Sequence, residues 1–410
     1  MSIVRTYRKS LLASAVVVAS VGAGPGRSAA APYLQTDLVS DIPGLATITD
    51  PTLKNSWGVS ESATSPFWVS DQGTNSSTLY SVTGSTTVSK VNINPPSGLV
   101  AIPTTATGPQ GPTGQVSNAN ASSFPVGNGG NGQSARFIFA NLNGTISAWN
   151  AGASSVVQAT TPGAVYTGLA INGAQTRLYA ANDAGAGGIS VFDGAFAPVS
   201  LPGGAFTDPN LPTGLVPFNV QDVGGKVYVT YAPAGRANQV AATPGTGVVD
   251  VFDEGGRFLQ RLVTGGPLAS PWGLTLAPGG FGPFGGDLLV GNFSFADSVI
   301  NAFDPATGAF MGSIPVDVGS GNTPGGLWAL TFGNGASGGD LNTLYFSDGI
   351  NGEQNGLFAA LTVSPAPPSA VPEPSSLALL ATAGLALCGV KARKRRTTSA
   401  PHSESAEAAH

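Results

Sequence analysis

The hydrophobic residues of this chain fall in short clusters that are separated by polar, turn-forming stretches. The clusters are rich in Val, Ile, Leu and aromatic residues, and Gly, Pro, Asn and Asp stand between them. Clusters of this kind predict β-strands, and the residues between them predict tight turns. We therefore predict an all-β fold for the central part of the chain.

The strand pattern recurs about every fifty residues, which is a period typical of propeller blades. Each repeat has an apolar strand, a second strand that ends in Asn or Asp, and a third strand often followed by Gly. Three repeats are clear and span residues 57–82, 168–194 and 272–304. Three looser repeats span residues 137–149, 227–253 and 327–359. Six such repeats predict a six-bladed β-propeller, because one blade cannot bury both of its own faces.

The repeats resemble NHL-type propeller repeats over residues 55–362. The second strand of that pattern is matched by Leu178–Asn182, and the third by Ile189–Asp193 with Gly194 after it. The resemblance implies a propeller body at residues 33–362. We expect Leu34–Val39 to add a closing strand to the last blade, since an unpaired edge invites aggregation. The Gly- and Pro-rich segments 93–135 and 232–247 are predicted to be long surface loops.

Charge and composition exclude several classes of function. Residues 33–370 hold 8 Lys and Arg against 19 Asp and Glu, so their net charge is 8 − 19 = −11. A nucleic-acid surface needs clustered Lys and Arg, so no nucleic-acid partner is predicted. The single Cys388 and the two histidines, His402 and His410, all lie beyond this body. A body without Cys or His cannot hold disulfides, Ser-His-Asp triads or ordinary zinc sites.

The C-terminal region carries a short proline motif, an apolar run and a basic cluster in that order. The motif is Pro372-Glu373-Pro374, which should be extended and open to a processing enzyme because proline disfavours helix. The apolar run Leu377–Val390 has fourteen residues. It would span about 21 Å as a single transmembrane helix, which is short for a core of about 30 Å. The basic cluster should stay cytoplasmic and place the body on the far side of the membrane; it consists of Lys391, Arg393, Lys394, Arg395 and Arg396.

This tail, residues 372–396, resembles the PEP-CTERM sorting signal of Gram-negative bacteria. The resemblance implies a membrane-embedded exosortase as partner, anchoring in the inner membrane before processing, and then a place at the cell surface or outside the cell. Residues 363–371 would form a Pro-rich spacer. Residues 397–410 would form a disordered polar tail, and they depart from the family, whose tails end soon after the basic cluster. The alternative is an ordinary C-terminal anchor that no exosortase processes.

The N-terminal region has the three parts of a secretory signal peptide. Arg5, Arg8 and Lys9 precede the apolar run Leu11–Ala23, and small residues follow up to a predicted cut after Ala30. Residues 1–30 are therefore predicted to be a signal peptide, and the protein is predicted to be exported.

Five polar residues at the ends of second strands are the candidate site. They are Asp71, Asn141, Asn182, Asn292 and Asp348. Oxygen ligands at similar heights on one face could bind calcium. Six-bladed lactonases of the gluconolactonase type use such ligands to polarise a lactone carbonyl. The alternative is that each side chain only caps its own loop by local hydrogen bonds.

Two functions follow as expectations. The first is a non-enzymatic binding protein without a cofactor, associated with an extracellular polysaccharide or protein partner. The second is a calcium-dependent periplasmic lactonase or hydrolase, to which Asp183 and Glu353 could add ligands. A quinone dehydrogenase is less favoured, because those propellers usually have eight blades and a cationic pocket. We expect Trp57, Trp272 and Trp328 to form core between blades, and not a platform for sugars.

Overall fold

The computed structural model describes residues 32–364, except for Pro95 and Ala186. The predicted signal peptide, sorting tail and polar tail, and all but the start of the spacer, lie outside these residues. Within this range, no helix has the length and hydrophobicity needed to cross a membrane.

The described residues form six sheets, which are the blades of a propeller, and all their strands pair antiparallel except the two N-terminal strands, which pair parallel with each other. Two N-terminal strands, β1 (Tyr33–Ser40) and β2 (Ile48–Thr49), belong to the last blade. Blade 1 contains β3 (Ser56–Ser60), β4 (Phe67–Asp71), β5 (Ser76–Thr83), β6 (Thr87–Lys90) and β7 (Leu99–Ala101). Blade 2 contains β8 (Pro112–Ser117), β9 (Phe137–Asn141), β10 (Thr145–Trp149) and β11 (Val156–Thr160). Blade 3 contains β12 (Tyr166–Ile171), β13 (Arg177–Asn182) and β14 (Ile189–Asp193).

The second half of the ring repeats the same plan. Blade 4 contains β15 (Leu215–Val223), β16 (Lys226–Pro233), β17 (Val248–Asp253) and β18 (Phe258–Thr264). Blade 5 contains β19 (Pro271–Leu276), β20 (Leu288–Asn292), β21 (Val299–Phe303) and β22 (Phe310–Pro315). Blade 6 contains β23 (Leu327–Phe332), β24 (Leu344–Asp348) and β25 (Leu357–Val363), with β1 outside β25. Short helices α1 (Arg236–Val240) and α2 (Ile350–Glu353) lie in loops, and 3-10 turns lie at Gln72–Thr74 and Gly282–Phe284.

The ring closes through its first strand. β1 pairs antiparallel with β25, from Tyr33 opposite Val363 to Ser40 opposite Leu357. Leu38 and Val39 are fully buried in this pairing. The N-terminal strand therefore joins the last blade, and both the closing strand and the six-bladed all-β fold are confirmed. Val363, which was assigned to the spacer, is the last residue of β25.

Inner strands line the axis, and every one of them has a bulge. Glycine occupies the bulge in four blades, at Gly58, Gly114, Gly168 and Gly273. A Cβ atom at any of these positions would overlap the inner strand of the next blade. The glycines therefore let neighbouring blades approach each other closely around the axis.

Two segments that were predicted to be surface loops contain ordered elements. Residues 93–135 include β7 and the inner strand β8, and residues 232–247 include the end of β16 and α1. β8 has the sequence Pro-Thr-Gly-Gln-Val-Ser, with one large apolar residue. It is nevertheless mostly buried, because it packs between β3 and β12. The strand conformation of β8 therefore depends on its contacts with neighbouring blades and not on its own hydrophobicity.

Candidate functional site

An aromatic plug closes the axis of the propeller. It is built from the bulged segments of the inner strands, where Trp57, Phe218, Trp272 and Trp328 meet. The rings of Trp57 and Trp328 stack with centroids 3.4 Å apart, and Trp272 meets Trp328 edge-on at 5.5 Å. The Trp272 indole N–H also donates to the carbonyl of Thr167 at 2.9 Å. The prediction that these tryptophans form core is confirmed, and the axis is filled by side chains at this level.

The upper face is defined here as the face that carries the loops between the second and third strands of each blade. α1 lies in the β16–β17 loop and brings Arg236 over the plug. The guanidinium carbon of Arg236 lies 4.0 Å from the ring centroid of Phe293, 5.3 Å from that of Trp328 and 5.6 Å from that of Trp57. Arg236 also forms an ion pair with Glu353, which α2 supplies from blade 6. A cation is thus held over aromatic rings at the centre of this face.

Amide side chains surround this ion pair. Asn55 donates to Glu353 Oε1 at 3.0 Å and to Gln72 Oε1 at 2.8 Å. Asn55 Oδ1 accepts from the indole of Trp328 at 3.1 Å, so the network rests directly on the plug. Loops from blades 1, 4 and 6 therefore meet in one hydrogen-bonded group.

Asp183 extends the group towards blade 3. Gln239 of α1 donates to Asp183 Oδ1 at 2.8 Å. Burial raises the pKa of Asp183 to about 6, while the hydrogen bond from Gln239 and the charge of Arg236 act in the opposite direction. We name the set Asn55, Gln72, Asp183, Arg236, Gln239 and Glu353 the upper polar cluster. It offers amide donors, carboxylate acceptors and one guanidinium. The side chain of Arg236, which carries the guanidinium, is 39% exposed.

Most of the upper polar cluster was not singled out from the sequence. Asp183 and Glu353 were considered only as extra calcium ligands. Arg236 is one of just eight basic residues in the body, and it stands in a segment that was predicted to be a loop. The sequence feature that could have identified Arg236 is a single positive charge in a long predicted loop of an acidic body.

The five predicted calcium ligands lie at the ends of β4, β9, β13, β20 and β24. Side chains alternate along a strand, so each of the five shares a strand face with apolar residues that pack between blades. Asp348, for example, lies on the same face of β24 as Leu344 and Phe346, which belong to the core shared with blade 5. The side chains therefore lie in different spaces between blades.

The side chains of the three asparagines hydrogen-bond to backbone groups. Asn182 Oδ1 accepts from the amides of Val165 and Ala184. Asn292 Oδ1 accepts from the amide of Ala269. Asn141 donates to the carbonyl of Thr145.

The two aspartates differ from them. Asp348 is fully buried, and neither of its oxygens has a hydrogen-bond partner in the described part of the chain. Asp71 is equally buried and receives one long contact, 3.5 Å, from the Ser76 hydroxyl. Burial raises the pKa of both carboxyls well above the usual range. Residues 32–364, as described, hold no group of three or more His, Cys, Asp or Glu side chains placed to bind a metal. Calcium binding stays a prediction.

Comparison with known proteins gives relatives along most of the chain. Uncharacterized protein L690 of Acanthamoeba polyphaga mimivirus is 30% identical over 353 residues, which cover 82% of this chain and 87% of that protein. The chain belongs to the same family as protein L690. Uncharacterized protein R648 of the same virus is 30% identical and covers 67% of each chain. Uncharacterized protein R640 is 31% identical over 47% of this chain, and the match spans only 37% of that protein's length.

The C-terminal region of this chain also matches a known family. The family described as "PEP-CTERM protein-sorting motif" matches residues 370–396, which include the Pro372-Glu373-Pro374 motif and the basic cluster. The predicted sorting signal is thereby confirmed. The motif implies export, processing by an exosortase and sorting to the cell surface.

Two solved structures are similar to this propeller at low identity. A gluconolactonase from Xanthomonas campestris has a TM-score of 0.35 and 18% identity, over 56% of this chain and 82% of that one. The Dos1 propeller has a TM-score of 0.36 and 13% identity, over 74% of this chain and 68% of that one.

Proposed function

We propose that this protein is a surface-sorted binding propeller that attaches to an extracellular polysaccharide through its upper polar cluster. The observation that carries the proposal is the group of side chains around Arg236. Amides and carboxylates can exchange hydrogen bonds with sugar hydroxyls, and a guanidinium can pair with acidic sugars. The cluster lies in loops above an axis that aromatic side chains fill at this level, and a filled floor of this kind favours surface binding over a deep catalytic pocket on this face.

The sorting route proposed here has two stages. A signal peptide at residues 1–30 directs export, and the segment 372–396 anchors the chain in the inner membrane of a Gram-negative cell. An exosortase then acts near Pro372-Glu373-Pro374, and the propeller passes to the cell surface or the medium. The alternative function, a calcium-dependent lactonase, would need Asp71 and Asp348 to share an ion with ligands from other blades.

Changing Pro372, Glu373 and Pro374 together to Ala is expected to block processing. The wild-type chain should give a shortened form outside the inner membrane, while the variant should accumulate at full length in the membrane fraction. Cell fractionation followed by immunoblotting measures this. The control changes Pro365, Pro367 and Pro368 to Ala, which removes three spacer prolines and keeps the motif. If wild type also stays in the membrane at full length, the sorting proposal fails.

Replacing Arg236 with Gln is expected to weaken binding to the organism's own polysaccharide by about tenfold or more, since buried-interface arginines often dominate binding. Co-sedimentation of purified protein with the insoluble polysaccharide, with and without calcium, measures the retained fraction. Arg257→Gln is the matched control, because Arg257 is exposed and its ion pair is with Asp253 in a local turn. No retention of wild-type protein under either condition would refute polysaccharide binding.

A further inference from the structure

A pocket opens on the axis on the side of the plug opposite the upper polar cluster. Its volume is about 460 Å³. The inner strands run past the plug and end around this pocket, so all six blades contribute to its wall. We name it the lower axial pocket. Residues that matter for its chemistry are Val59, Glu61, Gln115, Asp222, Leu274 and Thr331.

Two buried oxygen atoms of residues that line this pocket receive no hydrogen bond from the described part of the chain. Glu61 Oε1 accepts from the Thr331 hydroxyl at 3.3 Å, but Oε2 is buried and receives no hydrogen bond within residues 32–364 as described. Gln115 is only 5% exposed. Its amide nitrogen donates to the carbonyls of Gly58 and Trp68 at 2.7 Å each, while Oε1 is left without a donor from the described residues. A buried acceptor without a donor lowers the stability of the folded protein. A ligand that donates hydrogen bonds to these two atoms would remove that cost.

Charge in the pocket has one sign. The described residues that line it include Glu61 and Asp222, and they include no Lys, Arg or His. Asp222 Oδ1 accepts from the amide of Gly225, and Glu254 beside it raises its pKa in addition to burial. The remaining wall mixes aliphatic residues, Val59 and Leu274 among them, with Ser, Thr and Gln side chains. This lining favours a ligand that donates hydrogen bonds and carries positive charge, and it leaves room for a short methylene chain beside the aliphatic residues.

We propose that the lower axial pocket binds a small organic amine. The ammonium group would pair with Glu61 and donate to Gln115 Oε1, and its methylene groups would lie against the aliphatic side chains in the wall, such as Val59 and Leu274. A charge-assisted hydrogen bond to a desolvated carboxylate is among the stronger polar contacts available to a protein. This site is separate from the upper polar cluster and does not depend on polysaccharide binding.

Isothermal titration of the purified chain with putrescine tests the proposal. Burial raises the pKa of Glu61 to about 8, so titration at pH 9 uses a largely ionised carboxyl and a largely protonated amine. We expect saturable binding to wild type and a dissociation constant about tenfold or more higher for Glu61→Gln. Asp340→Asn, an exposed carboxylate outside the pocket, is the matched control and should bind like wild type.

Three results of titrations with organic ligands would overturn the proposal, and a calcium result would do so as well. They are no saturable heat with wild type, equal affinity of wild type and Glu61→Gln, and equal affinity of wild type for putrescine and uncharged 1,4-butanediol. A calcium chloride titration that competes fully with putrescine and binds more tightly would instead assign the pocket to a metal ion. Circular dichroism of Glu61→Gln checks its fold, which we expect to be retained because Gln removes a buried charge.

Discussion

Replacing Asp348 with Asn is expected to raise the free energy of unfolding of the propeller at neutral and alkaline pH. Burial, and secondarily the charge of Glu353, raise the pKa of Asp348 well above its usual range. An unfolded Asp ionises near pH 4, so above that pH the unfolded chain releases a proton that the folded chain retains. Rising pH therefore favours the unfolded state of the wild type until the folded carboxyl also ionises. Asn does not titrate, so the Asp348→Asn variant does not lose stability in this way as the pH rises.

The difference between variant and wild type should be small near pH 4 and should grow by up to about 1.4 kcal/mol per pH unit above it. Urea unfolding at a series of pH values measures it. Asp317→Asn is the control, because Asp317 is exposed and accepts a bond from a backbone amide that Asn can also accept. Parallel curves for wild type and Asp348→Asn would show that the folded protein pairs this carboxylate. Stabilisation by millimolar calcium in wild type alone would identify calcium as that partner.

Asp348 is one of several buried carboxyls whose pKa is raised. Burial, and secondarily the charge of Asp208, raise the pKa of Asp250 to about 7, although Arg261 lies 3.7 Å from its Oδ1 and acts in the opposite direction. Asp71 and Glu61 are further examples. The exported body is therefore expected to be more stable in mildly acidic medium than in alkaline medium. Such costs are commonly found at sites that bind something, and this supports testing Glu61 and Asp348 directly.

The features that were predicted correctly from the sequence depend on local pattern. Short apolar clusters gave the strands, their period gave six blades, and the need to cover an edge placed Leu34–Val39 in the last blade. Trp57, Trp272 and Trp328 begin inner strands, and that position led to the correct prediction that they are core. Each of these inferences uses residues that are close in sequence, or a symmetry that relates repeats.

The features that were missed depend on contacts between distant parts of the chain. β8 is a strand because β3 and β12 lie on either side of it, and its own sequence has the composition of a turn. Asn55 donates to Glu353, which lies 298 positions away in the sequence. The two residues meet because the propeller ring closes, and the repeat pattern does not define the loops that hold them. The sequence placed Asp71 and Asp348 at strand ends, but the direction of each side chain depends on strand register, which only the folded sheets define.

Replacing Gly114 with Ala is expected to destabilise the propeller strongly. Gly114 stands in the bulge of β8, where a Cβ would overlap the backbone nitrogen of Leu169 and lie 2.8 Å from the carbonyl carbon of Gly168. These are backbone atoms of β12, so no side chain can move aside, and blades 2 and 3 must separate. We expect the free energy of unfolding to fall by about 3 kcal/mol or more, at the upper end for overpacked cores.

Gly173→Ala is the matched control, because its Cβ would meet no atom within 4 Å and its φ is not positive. That variant should match wild type or gain slightly, since Ala restricts the unfolded chain. Equal urea midpoints for Gly114→Ala and Gly173→Ala would show that the blades do not need this close approach.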